Sequence, residues 1–385
     1  MTRAGRLSPT AEGAALALAA VASRIVFVAA AASALGVDWR DLALRYDGHV
    51  YLRIAKTLPA LYVSEQGPLL TGWFPLYPVL IRAGGALTGD LRVAAIMVSL
   101  AASAAAVLLF HRLAARFSSR PGLAAAVLAV FPPMWLVCGG LAFAEPVLVC
   151  AAVAAVLAAV EDRPWTCGAA AAAAALSQKS GALVVVIAAL VVWSRRSRLD
   201  GRWLAALALA PLAAAALQGY LWLTFGDPLI NLRVQREIFG GSLFSLPFAG
   251  FVKGLLEPSA FGGPWRRAAI AASGLFYLGV AAAAWRGRTE ERRPLLLWLG
   301  VVLAFFFCLG GFWAFHSLPR FLLLGAPAVI LLAEPYLPRG RGLLAAAPLA
   351  LLPFFVGLVE VAQADAFMRR AWGESYFSRA SSELR

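Results

Sequence analysis

Ten long apolar runs, most of them separated by short links that carry arginine, constrain this chain more than any other feature. They lie near 14–37, 93–110, 121–138, 143–160, 165–193, 203–225, 267–285, 294–315, 320–337 and 342–361. A helix crosses a bilayer with about 20 apolar residues. The run 165–193 is too long for one ordinary helix and carries the polar break SQKSG at 177–181. It is expected to cross twice, as two short helices meeting near one membrane face. The sequence therefore predicts an all-α polytopic membrane protein with eleven spans, ten being the main alternative. Composition excludes the other classes. Hydrophobic residues make up 62% and charged residues 14%, against about 45–50% and about 25% in soluble domains. A soluble core has no room for that excess, and neither a disordered chain nor a secreted disulfide scaffold has this make-up. The four cysteines (Cys138, Cys150, Cys167 and Cys308) sit in or beside apolar runs without metal-ligand spacing.

The net charge of +14 would suggest nucleic acid in a soluble protein. Here the arginines gather in short links: Arg112, Arg116 and Arg120; Arg163; Arg195, Arg196, Arg198 and Arg202; Arg286, Arg288, Arg292 and Arg293; Arg339 and Arg341. Basic short links face the cytoplasm, so no nucleic-acid partner is expected and the N-terminus lies inside. Arg3 and Arg6 ahead of an Ala-rich run would suit a cleaved signal peptide. The length of that run, and Arg24 within it, favour a retained first helix. On this orientation one membrane unit spans 1–385. Its outer side receives a loop at 38–92, a second at 226–266 able to act as a lid, and a tail at 362–385.

The first outer loop holds the most chemistry. Tyr46, Val50, Ile54 and Leu58 recur at i+4, which predicts an amphipathic helix lying in the membrane interface. Asp47 would stand at headgroup level, either as a functional acid or as a partner of Arg45 or Arg53. His49 is two residues on and points away from Asp47, whereas Tyr51 at i+4 is placed to orient it. No His, Asp or Glu cluster has metal spacing, and no Asp-x-Asp pair occurs of the kind that holds a metal-bound nucleotide sugar. His316 reads as an interfacial residue.

The segment RYDGHVYLRIA followed by GWFPLYPVLIR resembles a motif pair of the PIG-V family of GT-C-type membrane glycosyltransferases. VFPPMWLVCGGLAFAEPVLV, GYLWLTFGDPLINLRVQ and LPRFLLLGAPAVILLA resemble three further stretches of that family, in the same order. The chain departs from the family at Tyr46, where Trp is usual, and at Val50, where an aromatic is usual. SQKSG replaces a T-R-P-T-G bend, which puts Gln178 and Lys179 in place of Arg and Pro. Phe143-Ala144-Glu145-Pro146 replaces Tyr-Thr-Glu-Ser. The resemblance implies transfer of a sugar, with mannose the first expectation, from a polyprenyl or dolichyl phosphate to a hydroxyl acceptor with inversion. The acceptor would be a glycolipid, a polymer or a protein. No cofactor and no metal are implied beyond that lipid-linked donor.

Inversion needs one base to take the acceptor proton, and Asp47 is the candidate. The leaving phosphate needs charge stabilisation. Arg320 suits it with its forked guanidinium, although a snorkelling interfacial Arg would look the same. Lys179 would assist as a point charge. Glu145 and Asp227 suit either substrate contacts or helix starts. Gln235 matches a family Gln. Tyr77, with Trp73 and Phe74, belongs to an aromatic segment that reads as a pocket wall or as a membrane-edge helix. A transporter or lipid flippase should instead carry ionisable residues inside several spans and show an internal repeat. Arg24 is the notable mid-span charge, which favours an enzyme. An inactive relative that binds the prenyl phosphate is the third reading. Lysine confined to Lys56, Lys179 and Lys253 amid Ala, Arg and Gly suggests a GC-rich genome, hence a bacterial inner membrane with the site facing outward.

Overall fold

The computed structural model describes residues 8–58, 60–62, 67–130, 132–196, 199–239, 244–256, 264–309, 317–337 and 351–372. His316, Arg339, Arg341, the first part of the run 342–361 and the end of the 362–385 tail lie outside the described residues. Among the described residues the helices run in this order: α1 Pro9–Leu35, α2 Gly48–Thr57, α3 Gly67–Leu70, α4 Leu76–Thr88, α5 Leu91–Ala114, α6 Pro121–Val130, α7 Pro133–Gly140 and α8 Glu145–Val160. Then follow α9 Pro164–Ser177, α10 Ala182–Arg196, α11 Gly201–Leu207, α12 Leu209–Phe225, α13 Ile230–Phe239, α14 Ala249–Leu256, α15 Pro264–Arg286 and α16 Arg293–Phe307. The last three are α17 Leu318–Phe321, α18 Ala326–Ala333 and α19 Leu352–Trp372. Among the described residues the sole β feature is an isolated bridge between Phe244 and Leu309. The protein is an all-α polytopic membrane protein.

Among the described residues, four continuous helical stretches are long and apolar enough to cross a bilayer: Thr10–Leu35, Leu91–Ala114, Gly201–Phe225 and Leu318–Tyr336. The run 121–138 is a bent pair, α6 and α7, which meet at 70°. Pro132 and Pro133 explain the break, because a proline inside a helix removes a backbone donor and clashes with the preceding turn. The run 165–193 divides at SQKSG, where a 3-10 turn over Lys179–Gly181 joins α9 to α10. Helix starts follow the sequence chemistry. Ser8, Asp90 and Asp200 each accept a backbone N–H of the first turn, from Ala11, Arg92 and Trp203.

Alanine-rich faces let these helices approach closely, as small residues do in membrane bundles. α8 packs on α5 and α9, and α5 also packs on α1 and α4. Arg24, in the middle of α1, is fully buried. It donates to the carbonyls of Ala20 at 2.8 Å and Ala129 at 2.9 Å, and lies over the Trp135 ring at 5.5 Å.

The short helix of the first loop differs from its expected place. α2 is amphipathic, but its apolar stripe is sunk into protein rather than laid on the membrane. Tyr51, Leu52 and Ala55 pack with Tyr77 and Ile81 of α4 and with Ala94 and Ala95 of α5. Val50 and Ile54 pack with Tyr62, Leu70, Leu217 and Leu221. The periodicity identifies an apolar face, and either lipid or protein can cover such a face. The consequence is that the residue just ahead of α2, Asp47, is fixed against the bundle on two sides.

Candidate active site

Asp47 reaches its position through a tightly specified turn. A 3-10 helix over Trp39–Leu44 is followed by extended Arg45 and then by Tyr46, whose φ is +52°. That left-handed conformation costs a non-glycine residue on the order of 1 kcal/mol, so surrounding contacts must hold it. The Tyr46 hydroxyl donates to the Glu360 carbonyl at 2.9 Å, and its ring packs on Phe143 with centroids 5.1 Å apart. Gly48 follows from close approach, because a Cβ there would stand 2.1 Å from the Ala43 carbonyl oxygen. The obstacle is backbone and cannot rotate away. Gly48→Ala is expected to lower stability by about 1–3 kcal/mol, as overpacking does, and a thermal unfolding midpoint equal to wild type would contradict it. Asp47 begins α2 without capping it through its side chain, which leaves the carboxylate turned to the bundle.

Its partner there is Arg320 of α17. Arg320 Nη1 donates to Asp47 Oδ2 at 2.7 Å, and Nε lies 2.9 Å from Glu145 Oε1. The guanidinium also stands 5.5 Å from the Phe143 ring centre and 5.4 Å from that of Phe321. One cation is thus held between two carboxylates and two aromatic rings. Glu145, the first residue of α8, is 1% exposed. Its Oε1 also accepts from Gln178 Nε2 at 2.7 Å, while its Oε2 has no hydrogen-bond partner among the described residues.

The SQKSG turn contributes the second cation. A Cβ at Gly181 would lie 1.7 Å from the Ala174 carbonyl, so the turn folds back tightly on α9. Lys179 Nζ donates to Gln235 Oε1 at 3.1 Å and lies 5.5 Å from the Phe321 ring centre. Gln235 Nε2 in turn donates to the Gly72 carbonyl at 2.6 Å, tying α13 to the first loop. Burial, and then the Arg320 charge, push the Lys179 amine down to about 7, with Asp47 working in the opposite direction.

A single cleft collects these groups. Asp47, Tyr51, Gly72, Trp73, Phe74, Gln178, Lys179, Gln235, Arg320 and Phe321 line it. Five residues singled out from the sequence (Asp47, Tyr51, Lys179, Gln235 and Arg320) are therefore brought together, with Glu145 behind Arg320. Tyr77 lies beneath them. Its hydroxyl donates to the Ala95 carbonyl at 2.9 Å and shares a 2.8 Å bond with Ser99, and its ring meets Tyr51 edge-on. Asp227 stands apart from the cleft lining, accepting from the Leu229 N–H at 3.0 Å and pairing with Arg233 at 2.8 Å. Gln178, from the altered SQKSG bend, also lines the cleft, as do Gly72 and Phe321, which the sequence marks only by their places beside Trp73 and Arg320. Among the described residues no three His, Cys, Asp or Glu side chains gather closely enough to hold a metal ion.

One carboxylate and two cations lining an aromatic-walled cleft, with Glu145 buried behind Arg320, suit a ligand with both an anionic group and a reacting hydroxyl. Residues 68–220 match the family described as dolichyl-phosphate-mannose-protein mannosyltransferase. The matched stretch holds Trp73, Phe74, Glu145, Gln178 and Lys179 and ends before Gln235 and Arg320. It covers less than half of the chain. It supports a GT-C-type, mannosyltransferase-like class of membrane glycosyltransferase that uses dolichyl-phosphate sugar donors, and not the PIG-V family in particular. No curated protein matches the chain.

Proposed function

We propose that the chain is an inverting glycosyltransferase that moves a sugar, mannose in the first instance, from a polyprenyl or dolichyl phosphate to a hydroxyl acceptor. The bridge from Asp47 through Arg320 to Glu145, with Lys179 beside it, carries this reading. In the reaction Asp47 accepts the proton of the acceptor hydroxyl as its oxygen bonds to the anomeric carbon. The bond from that carbon to the phosphate oxygen breaks, and the phosphate leaves with an added negative charge. Arg320 and Lys179 stand where that charge grows, and fixed cations in a site shielded from water stabilise it most. Trp73, Phe74 and Phe321 offer the apolar and stacking surface that a sugar ring or prenyl chain needs. The acceptor class, whether glycolipid, polymer or protein, is left open by these groups.

The site faces outward in this reading, from a bacterial inner membrane. α8 supports the orientation. Its first residue, Glu145, meets Arg320, while just past its other end Glu161 meets Arg112, Arg116 and Arg163. Sixteen residues of helix separate the two ends, about 24 Å at 1.5 Å per residue. The cleft and the basic links therefore stand on opposite sides, and basic short links face the cytoplasm.

The test is transfer of radiolabelled sugar in membranes containing the protein, comparing polyprenyl-phosphate-mannose with a nucleotide-linked mannose, in wild type and Asp47→Asn. Label should move only from the lipid donor and only with Asp47 present. Transfer that ignores Asp47, or that needs the nucleotide donor, overturns the proposal. Lys179 adds a pH signature. The donor phosphodiester keeps its single negative charge across neutral pH, whereas Lys179 loses its proton as pH rises through about 7. Donor KM is expected to climb above neutrality in wild type and to stay flat in Lys179→Met. A wild-type donor KM that does not change between pH 6 and 8.5 would count against this role.

A further inference from the structure

The turn that presents Asp47 is clamped from outside the cleft by a distant part of the chain. We infer that α19 positions the base, through Asp365 and the Glu360 carbonyl, and is part of the working site although none of its described residues lines it. The inference rests on the reading of Asp47 given above. Arg45 Nε lies 2.6 Å from Asp365 Oδ1, and both side chains are almost entirely buried. One residue on, the Tyr46 hydroxyl donates to the Glu360 carbonyl at 2.9 Å. The two residues immediately before Asp47 are therefore both tied to one helix. Tyr46 is also the residue in the left-handed conformation, which persists only where its surroundings over-determine it.

The clamp itself is rigidly mounted. α19 packs on α7 and α1, Phe354 meets Phe27 edge-on at 5.8 Å, and a Cβ at Gly357 would touch Phe27 at 2.9 Å. The Tyr46 ring rests on Phe143, the ring that also faces the Arg320 guanidinium. Displacing Tyr46 would thus move the carboxylate and loosen the support of its cationic partner together. Asp365 and Tyr46 are positioning residues: they act on the reaction through the place they give Asp47. A displacement of about 1 Å in a reacting group can lower a rate on the order of 100-fold.

The experiment uses the full chain in nanodiscs, with Asp365→Asn, Asp365→Glu and Tyr46→Phe beside wild type. Hydrogen exchange of the 44–51 backbone is measured together with transfer kinetics. Asp365→Asn should speed exchange at 44–51 while leaving α5 and α8 unchanged. It should cut kcat by roughly 10–100-fold with donor KM retained. Asp365→Glu should restore most of both, and Tyr46→Phe should move both the same way by less. Breaking a buried ion pair can unfold a protein. Should Asp365→Asn do so, Tyr46→Phe decides alone, since it removes one hydroxyl and no charge. Wild-type exchange at 44–51 in every variant that folds overturns the inference, and so does faster exchange without any fall in kcat. Asp47→Asn in the same assay separates the two claims. If it turns over normally, the base assignment fails, whereas exchange at 44–51 still judges the clamp by itself.

Discussion

Asp47→Asn is expected to lower kcat by on the order of 1,000-fold, within the range of about 100- to 10,000-fold that a general base contributes, while donor KM stays the same or falls. The amide keeps the shape of the carboxylate and cannot take a proton at neutral pH. Folding should survive. The Asp47 side chain keeps a quarter of its surface exposed, and the asparagine oxygen can still accept the Arg320 hydrogen bond. Arg320 also retains Glu145 as a partner. The KM direction follows from the same contact. Arg320 is shared between Asp47 and Glu145, so a donor phosphate has to compete for it. Removing one carboxylate frees the guanidinium for phosphate. A loss in kcat without a loss in donor affinity marks a group that acts only in the transition state. A rise in donor KM with kcat unchanged would instead make Asp47 a binding residue, and near-normal turnover would remove it from the chemistry. Steady-state kinetics on purified protein, with a thermal unfolding curve for each variant, distinguishes these outcomes.

Much of this arrangement is legible in the sequence. Apolar runs of bilayer length fix the class of fold because nothing else accommodates them. The polar break SQKSG identified a turn, and a lysine within it, inside an otherwise apolar stretch. The order of motifs put Asp47, Arg320 and Gln235 on one list of site residues, and they line one cleft. What sequence could not supply was the phase that each apolar face meets. Val50 and Ile54 read as a lipid-facing stripe and instead pack on Leu217 and Leu221. The Asp-Pro pair at Asp227 sits in the turn ahead of α13, where its carboxylate accepts from the Leu229 N–H and pairs with Arg233. Tyr77 carries the right kind of ring, yet its hydroxyl is spent on Ser99 and the Ala95 carbonyl beneath the cleft. Each of these cases concerns a side chain whose type suits two roles that only tertiary packing separates. The Arg45–Asp365 pair lay beyond reach for a different reason, since no local pattern links residues so far apart in the chain.

Arg320→Ala is the substitution expected to damage both stability and activity. Glu145 is buried, with one oxygen accepting a hydrogen bond from Gln178 and ion-paired with Arg320, and the other without a hydrogen-bond partner among the described residues. A charge in that position is tolerable only beside its counter-charge, and removing one partner of a buried pair typically destabilises by about 3–5 kcal/mol. The transfer reaction should vanish as well, because the leaving phosphate loses its principal cation. Arg320→Lys should recover part of the stability and little of the rate, since an ammonium cannot span Asp47 and Glu145 as the planar fork does. The decisive variant is the double Arg320→Ala, Glu145→Gln. If the stability loss arises from the stranded carboxylate, neutralising Glu145 should return most of it, and the two substitutions should be strongly non-additive by more than about 1 kcal/mol. Activity should stay absent in the double variant, because its cation is still missing. Additive losses would mean that Arg320 stabilises the bundle by its packing against Phe143 and Phe321 alone. Full activity in the double variant would place phosphate stabilisation elsewhere, with Lys179 the next group to remove.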